Sequence, residues 1–491
     1  MATCKIKEIS EKYHWVECQQ PAWVEDPEGL CLLHSRQKDK DKDSAFTEAV
    51  TTKLAREDYD FPAVFFPDKI DLSNYLFKKD ANFSNAIFSD DVEFFEATFS
   101  GGAYFFGATF SGDAYFAEVT FSGEADFCEA TFSGDAEFSE ARFLTDSYFS
   151  STKFSAKTYF TRAIFNTYTD FAISNFLGEV LFSWTIFNGK TLFWRAKFSG
   201  GAEVSFDSIN PIGQPFKAFF NSLKLEFGSR LWLGNLSLEM VVFTDTDLRK
   251  IDFHNVEWYR YGGRNVVYDE VRLYEKEVVW FSNVILNKFV YKLKKFSWLS
   301  RIYQTIYSEK WVERFAKKSI FVKSLVSIDQ ATANKPTAND YAQVELVYRY
   351  LKLNYENEGN FKQAGDFHYG EMEMHRRASK WRWLPIYWYN LYRFLSGYGE
   401  RPLRALLVLA GFLVLFTLGF SGAEGNLAPA WPSGRFWEDC LFILQKATFQ
   451  RPERQPLTSL GHLLATLSPF LLPGQAALFL LALRNRLGRR R

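Results

Sequence analysis

The sequence predicts a mixed fold: a parallel β-solenoid over about 65–260, an α-helical region behind it, and two transmembrane helices near the C-terminus. Three observations predict it. Phenylalanines recur from Phe83 to Phe198 at steps that alternate between five and six residues without a break. A small or β-branched residue stands two places before each, as in Ala97, Ala103, Ala108, Ala114, Ala125, Ala130, Ala136 and Ala141, and later Thr152, Thr158, Ser174, Val180 and Thr185. Two long apolar runs follow residue 400.

The spacing selects the backbone. On a helix, five residues turn about 500° and six about 600°, at roughly 100° each, so successive rings would fall on two separated faces. Eleven-residue repeats can form right-handed coiled coils, but the intervening Ser, Gly, Thr and Asp are poor helix formers. A straight strand fails as well, because a step of five changes its face and a step of six keeps it. A chain that turns a corner every five or six residues returns every ring to one interior, which is a parallel solenoid. The extra residue of the longer step is Gly101, Gly112, Gly123, Gly134, Gly178, Gly189 or Gly200, all on one eleven-residue grid. Glycine there predicts a positive φ at a corner.

These A-x-F units resemble the pentapeptide-repeat family in its phenylalanine-centred variant, over roughly 70–260. The resemblance implies a right-handed quadrilateral β-helix, usually with four five-residue sides per coil. Two long and two short steps predict about 22 residues per coil here. From Phe83 to Phe198 that gives about five coils, and at about 4.8 Å per coil a rod on the order of 25 Å long.

The 58 basic and 58 acidic residues cancel, so net charge is uninformative, but their distribution is not. Thirteen acids and no base lie between Asp80 and Ala141, whereas Leu286–Leu325 holds ten bases and two acids. Some members of the family resemble DNA in charge and shape and bind topoisomerases, and the acidic tract allows that reading. A charged outer face kept for solubility explains it equally well, and a membrane anchor suits DNA mimicry poorly. Nucleic acid is not the expected partner.

In chain order, residues 1–43 form a small module and a charged linker. Cys4, Cys18, Cys31 and His34 are its candidate metal ligands. The C-x-x-H spacing of Cys31 and His34 puts both on one tight turn, and three thiolates with one imidazole suit tetrahedral zinc. Too little apolar sequence surrounds them to build a core, so a metal would supply folding energy. His14 is an alternative ligand, and a loose tail with scattered thiols is the plain alternative. The segment also resembles short cysteine–histidine modules ahead of some bacterial pentapeptide-repeat proteins. Residues 44–64 supply a helical cap (about 44–57) for the open end of the β-helix. After Phe198 the ladder degrades at NPIGQP, and 215–228 is expected as an inserted helix or an irregular side. A strict five-residue step then runs through Leu233, Leu238, Phe243, Leu248, Phe253 and Trp258.

Residues 261–326 are basic and aromatic at roughly helical spacing. Such a helix either lies on an anionic membrane surface or packs on its own protein. A helical hairpin over 340–379 turns at Gly359–Asn360. Tyr341, Val344, Val347, Tyr348 and Leu351 form its first apolar face, and Phe361, Ala364, Phe367 and Met372 its second, with Tyr369 a further candidate. His368, Glu371 and His375 could reach a common ion, although a salt-bridged face is the simpler reading. The AGDFHYGEMEMHRR segment resembles one found before the membrane region of bacterial pentapeptide-repeat membrane proteins.

Residues 380–491 read as a membrane domain with spans at about 404–422 and 465–487 and a short helix at 436–449 between them. The second span contains Pro469, Pro473 and Gln475, which predict a kink or a broken entry. Arginines before the first span and after the second predict cytoplasmic termini and a multi-pass protein of the cell (inner) membrane. No signal peptide is expected, since the first thirty residues are polar. A span, a half-length helix and a span is the layout of tetrameric cation-channel pores. The potassium filter is absent, ATFQRPERQP stands in its place, and a helix lying on the outer leaflet is the alternative.

No phosphate loop, nucleophile elbow or HExxH appears, so no enzyme is expected. The expected function is a membrane-anchored scaffold presenting a rigid cytoplasmic β-helix to a protein partner, in a chain able to form homo-oligomers. An oligomeric ion-channel-like pore and a topoisomerase-binding DNA mimic are the alternatives.

Overall fold

The computed structural model describes residues 4–5, 18, 20–41, 44–201, 203–207, 217–226, 228–277, 280, 335–382, 384, 387–425, 434–452 and 454–487. His14 and nearly all of the basic segment 261–326 beyond residue 277 lie outside the described residues. The chain divides into two compact units, residues 1–263 with 267–272, and residues 264–266 with 273–491.

The first unit is the solenoid. Its strands are mostly two residues long and form four parallel sheets of eight, nine, six and seven strands. Ladder partners are 22 residues apart, as in Phe99↔Phe121 and Ala114↔Ala136. The A-x-F units turn their small residue and their ring inward and leave the residue between them at the surface, with Asp126 a buried exception. On one wall the rings of Phe77, Phe99, Phe121, Phe143, Phe165 and Phe187 stack at centroid separations of 4.4 to 5.2 Å. Rings of opposite walls meet edge to face across the interior, as Phe105 and Phe116 do at 5.4 Å and 85°. Both arrangements suit the aromatic quadrupole.

The corners differ from the expectation. Gly101, Gly112, Gly123, Gly134, Gly178 and Gly189 do not have positive φ; on that grid only Gly200 does, at +70°. Close approach is what requires glycine there: a Cβ on Gly112 would stand 2.6 Å from the Asp90–Asp91 peptide of the previous coil. The left-handed residue lies at the shorter corner, two places after a ring or, for Asn74, after Leu72. Asn74, Asn85, Glu96, Gly107, Glu118, Glu129, Glu140, Ser151, Arg162, Ile173, Trp184 and Arg195 all have φ between +54° and +64°. Each sits at the third position of a β-turn closed by bonds such as Ala86 N–H to Phe83 O, 3.0 Å.

The acidic tract is also partly structural. Carboxylates of Asp91, Asp113 and Asp135 accept the backbone N–H of residues 113, 135 and 157 at 2.8–2.9 Å. Asp80 and Asp146 serve residues 102 and 168 in the same way. The longer corner thus has its amides satisfied by side chains one coil below.

Past Phe198 the ladder continues, which corrects the inserted helix or irregular side expected at 215–228. Lys217–Phe219 pairs with Lys190–Leu192, and Lys224–Leu225 with Lys197–Phe198, at offsets of 27 residues. Between Leu231 and Ile251 the offset falls to 20, as the strict five-residue step requires. Buried Asp269 closes this end. Its carboxylate accepts the amides of Phe243 (3.0 Å) and Thr244 (2.8 Å) and the Thr244 hydroxyl.

In the second unit, α2 (Ala338–Asn357) and α3 (Phe361–Ala378) form the hairpin. Gly359 turns at φ +74°, and Asn360 caps α3 by accepting Gln363 N–H. The α2 face is buried as expected. On α3 the buried methionine is Met374; Met372 is only partly covered. The short helix α4 (Trp388–Ser396) precedes α5 (Pro402–Ala423), α6 (Gly434–Ala447) and α7 (Ser459–Leu487). Helices α5 and α7 are long and apolar enough to cross a membrane. No break occurs at Pro469 and Pro473, which lie inside one helix. Pro469 cannot donate to the carbonyl four residues back, and the Ser468 hydroxyl takes over the Ala465 carbonyl at 3.2 Å.

Candidate functional site

The N-terminal ligands meet. His34 Nδ1 lies 3.1 Å from Cys31 Sγ and 3.6 Å from Cys4 Sγ, and Cys18 Sγ lies 3.9 Å from Cys31 Sγ. All four ligand atoms lie within 4.8 Å of one another. A tetrahedron with arms of about 2.0 to 2.3 Å has edges of about 3.5 to 3.8 Å, so one small cation fits between them. The cysteines are free thiols rather than disulfides.

Local sequence builds this cluster. The turn after Cys31 is closed by His34 N–H and Ser35 N–H on the Cys31 carbonyl, at 3.1 and 2.8 Å. Asp26 braces the preceding loop through the amides of Glu28 and Leu30, both at 2.9 Å. Cys31 N–H points at Cys4 Sγ, 3.2 Å away. Among the described residues, Leu30 and Leu33 add apolar cover around the thiols. His34 Nε2 lies 3.1 Å from the Pro62 carbonyl. Donation there keeps Nδ1 as the ligand nitrogen, the orientation that metal-bound histidines adopt.

Burial pushes the Cys31 thiol up to about 12, lifts Cys18 as well, and pulls His34 below its ordinary value. Without a cation the Cys18 and Cys31 thiols are therefore neutral. A divalent ion would hold them as thiolates and release protons on binding.

The module is fastened to the first coil. Phe65 N–H bonds the Leu33 carbonyl at 3.2 Å, while Phe46 of α1 (Ala45–Ala55) packs edge-on against Phe66 at 5.7 Å. The charged linker hides an exception. Lys40 is 2 % exposed, donates to the Leu33 carbonyl at 2.8 Å, and lies 4.0 Å from the centre of the Phe46 ring. Burial lowers its ammonium to about 7. Nothing in RQKDKDKD singles out this lysine.

The second helical pattern does not converge on an ion. Glu371 is taken by Arg349 (2.9 Å) and Lys352 (2.8 Å), and His375 by Glu345 (3.2 Å), so this face is salt-bridged. Sequence reasoning missed Glu373, which is 3 % exposed. It holds Arg376 at 2.6 Å, Arg377 at 3.0 Å, Arg393 at 3.6 Å and the Tyr398 hydroxyl at 3.0 Å. Among the described residues, Cys4, Cys18, Cys31 and His34 are the one group placed to hold a metal.

Residues 94–142 match the family model for pentapeptide repeats, in nine copies. No curated protein and no solved structure matches the chain. The matched stretch lies wholly within the part of the ladder that pairs at 22 residues. The solenoid of this chain is a pentapeptide-repeat β-helix.

Proposed function

We propose that the chain is a membrane-anchored scaffold, a rigid β-helix that presents its outer surface to a protein partner. The observation that carries this reading is the division of labour within each coil. Inward positions repeat with little variation, while the corner after each ring carries Asn, Glu, Ser, Arg, Ile or Trp on one backbone conformation. A core that fixes the wall while the outside varies suits recognition. The anchor rests on α5 and α7 and on the arginines near their ends. Alkaline carbonate should leave the full chain in the membrane pellet and release a chain truncated before residue 400. Extraction of the full chain would refute the anchor.

Zinc is the ion the three thiols and imidazole suit best, and its role is structural, holding the module against the first coil. One zinc per chain is expected by elemental analysis. Chelation or Cys31→Ser should remove it and speed hydrogen exchange over Phe61–Phe66 on the order of 100-fold, because this module gains its folding free energy from metal. A chain purified without added metal that contains no zinc and ignores chelators would refute the site.

A second reading, an oligomeric pore, draws on α6. Phe442 and Ile443 of this half-length helix pack among Phe416 and Phe420 of α5 and Leu472 of α7, and fully buried Asp439 pairs with Arg454 at 2.6 Å. Single-channel steps in planar bilayers would support it; silence leaves the anchor.

A further inference from the structure

We infer that α4 and α5 form a binding site for one anionic phospholipid, with an acyl chain in an apolar groove and the headgroup phosphate at Arg404. The inference rests on the membrane reading and names what the anchor recognises. The groove measures about 500 Å³ and runs between Phe394 of α4 and Leu403, Leu407, Gly411 and Leu415 of α5. Phe394, Leu403, Leu407 and Leu415 are each more than 60 % exposed. Trp388 and Leu391 continue the exposed face of α4 at helical spacing. A short helix with this face lies in the plane of the headgroups, its rings among the upper acyl carbons.

The groove is a fixed feature. Gln475 of α7 is 2 % exposed and donates to both walls, at 2.8 Å to the Leu395 carbonyl and 2.9 Å to the Ala405 carbonyl. Gly397, at φ +57°, lets the chain reverse between α4 and α5. Gly411 keeps the floor open, for a Cβ there would meet nothing within 4 Å.

Charge selects the headgroup. Arg393, on the same helix as Phe394, is committed to Glu373. Arg404 is exposed, and its guanidinium bonds only the Arg393 carbonyl among the described residues, at 3.2 Å, with no carboxylate in range. It stands on the first turn of α5, which has no side-chain cap. Unsatisfied amides and a guanidinium at one end of an apolar groove match a phosphodiester with a hydrocarbon tail.

The test is native mass spectrometry of the full-length chain, delipidated in detergent and titrated with dioleoyl-phosphatidylglycerol or dioleoyl-phosphatidylcholine. One phosphatidylglycerol per chain is expected, bound more tightly than phosphatidylcholine. Arg404→Ala should weaken phosphatidylglycerol about fivefold and leave phosphatidylcholine unchanged, the effect of one basic residue at an anionic surface. Gly411→Leu fills open space and should fold normally while weakening both lipids. Equal binding of both lipids by wild type and both variants overturns the site. So does a Gly411→Leu chain that keeps its lipid but loses its oligomer, since the groove would then hold a second copy. Carbonate extraction on the same preparations separates the two failures: a chain retained in the membrane but blind to headgroup loses only the lipid site, whereas an extracted chain loses the anchor and the lipid site together.

Discussion

Phe94→Ala is expected to destabilise the solenoid by about 3 to 5 kcal/mol, and its neighbour Phe95→Ala by less than about 1 kcal/mol. The two residues share a local sequence and differ in direction. Phe94 is fully buried, stacks on Phe116 at 4.9 Å, and meets Phe83 and Phe105 edge-on at 5.8 and 5.6 Å. Phe95 is 38 % exposed. Removing the first ring opens a cavity that stiff neighbouring coils cannot collapse into. Stability in a solenoid is passed between neighbours, so faster hydrogen exchange should appear first in the coils above and below, around Phe83, Phe105 and Phe116. Equal protection in both variants would contradict the stacked interior.

Glu373→Gln should destabilise the helical unit by about 3 to 5 kcal/mol, because the buried guanidinium of Arg376 loses its counter-charge. The same carboxylate sets an acid limit. Burial alone would raise its pKa, but Arg376, with Arg393 and Arg377, overcomes this and holds it down at about 2. An unfolded glutamate titrates near 4.3. The folded value is the lower one, so this stabilisation is complete above about pH 4.3 and drains away as pH falls towards 2, on the order of 3 kcal/mol in all. Circular dichroism of full-length wild type against acid should show the helical unit weakening across that window. The amide that replaces the carboxylate does not titrate, so the variant should be weaker at pH 7 but flatter below about pH 4.5. Parallel acid profiles would mean that Glu373 carries no such role.

The solenoid was readable because its signal is a period. An eleven-residue alternation leaves one sensible backbone, and it gave the 22-residue coil; the separate five-residue step after residue 230 is the sequence mark of the 20-residue offset the structure shows there. What the period could not resolve was the use of individual outward residues. Glycine at the longer corner reads equally as positive φ or as close approach, and only the neighbouring coil decides. Aspartates such as Asp113 read as surface charge, yet they bond an amide 22 residues away that no local pattern identifies. The four metal-binding candidates were legible from residue type and one short spacing. Lys40 and Glu373 were not: Lys40 is covered by the Leu33 carbonyl and the Phe46 ring, and Glu373, although Arg376 and Arg377 follow it at helical spacing, is also enclosed by Arg393 and Tyr398 from beyond its helix. The broken entry that the prolines of α7 suggested does not occur: the helix runs through both, and the Ser468 hydroxyl bonds the Ala465 carbonyl.

The change of offset from 22 to 27 to 20 residues along one tube has a further consequence. Parallel pairing asks only that each new lap land its short strands above the old ones, not that the laps be equally long. Two extra residues enter between Phe198 and Val204, where the offset reaches 24, and three more between Asp207 and Lys217, and the flanking walls stay in register. Such a barrel can lengthen one lap without losing its pairing, so an epitope or a docking tail could be grafted between these strands while the hoops on either side stay closed.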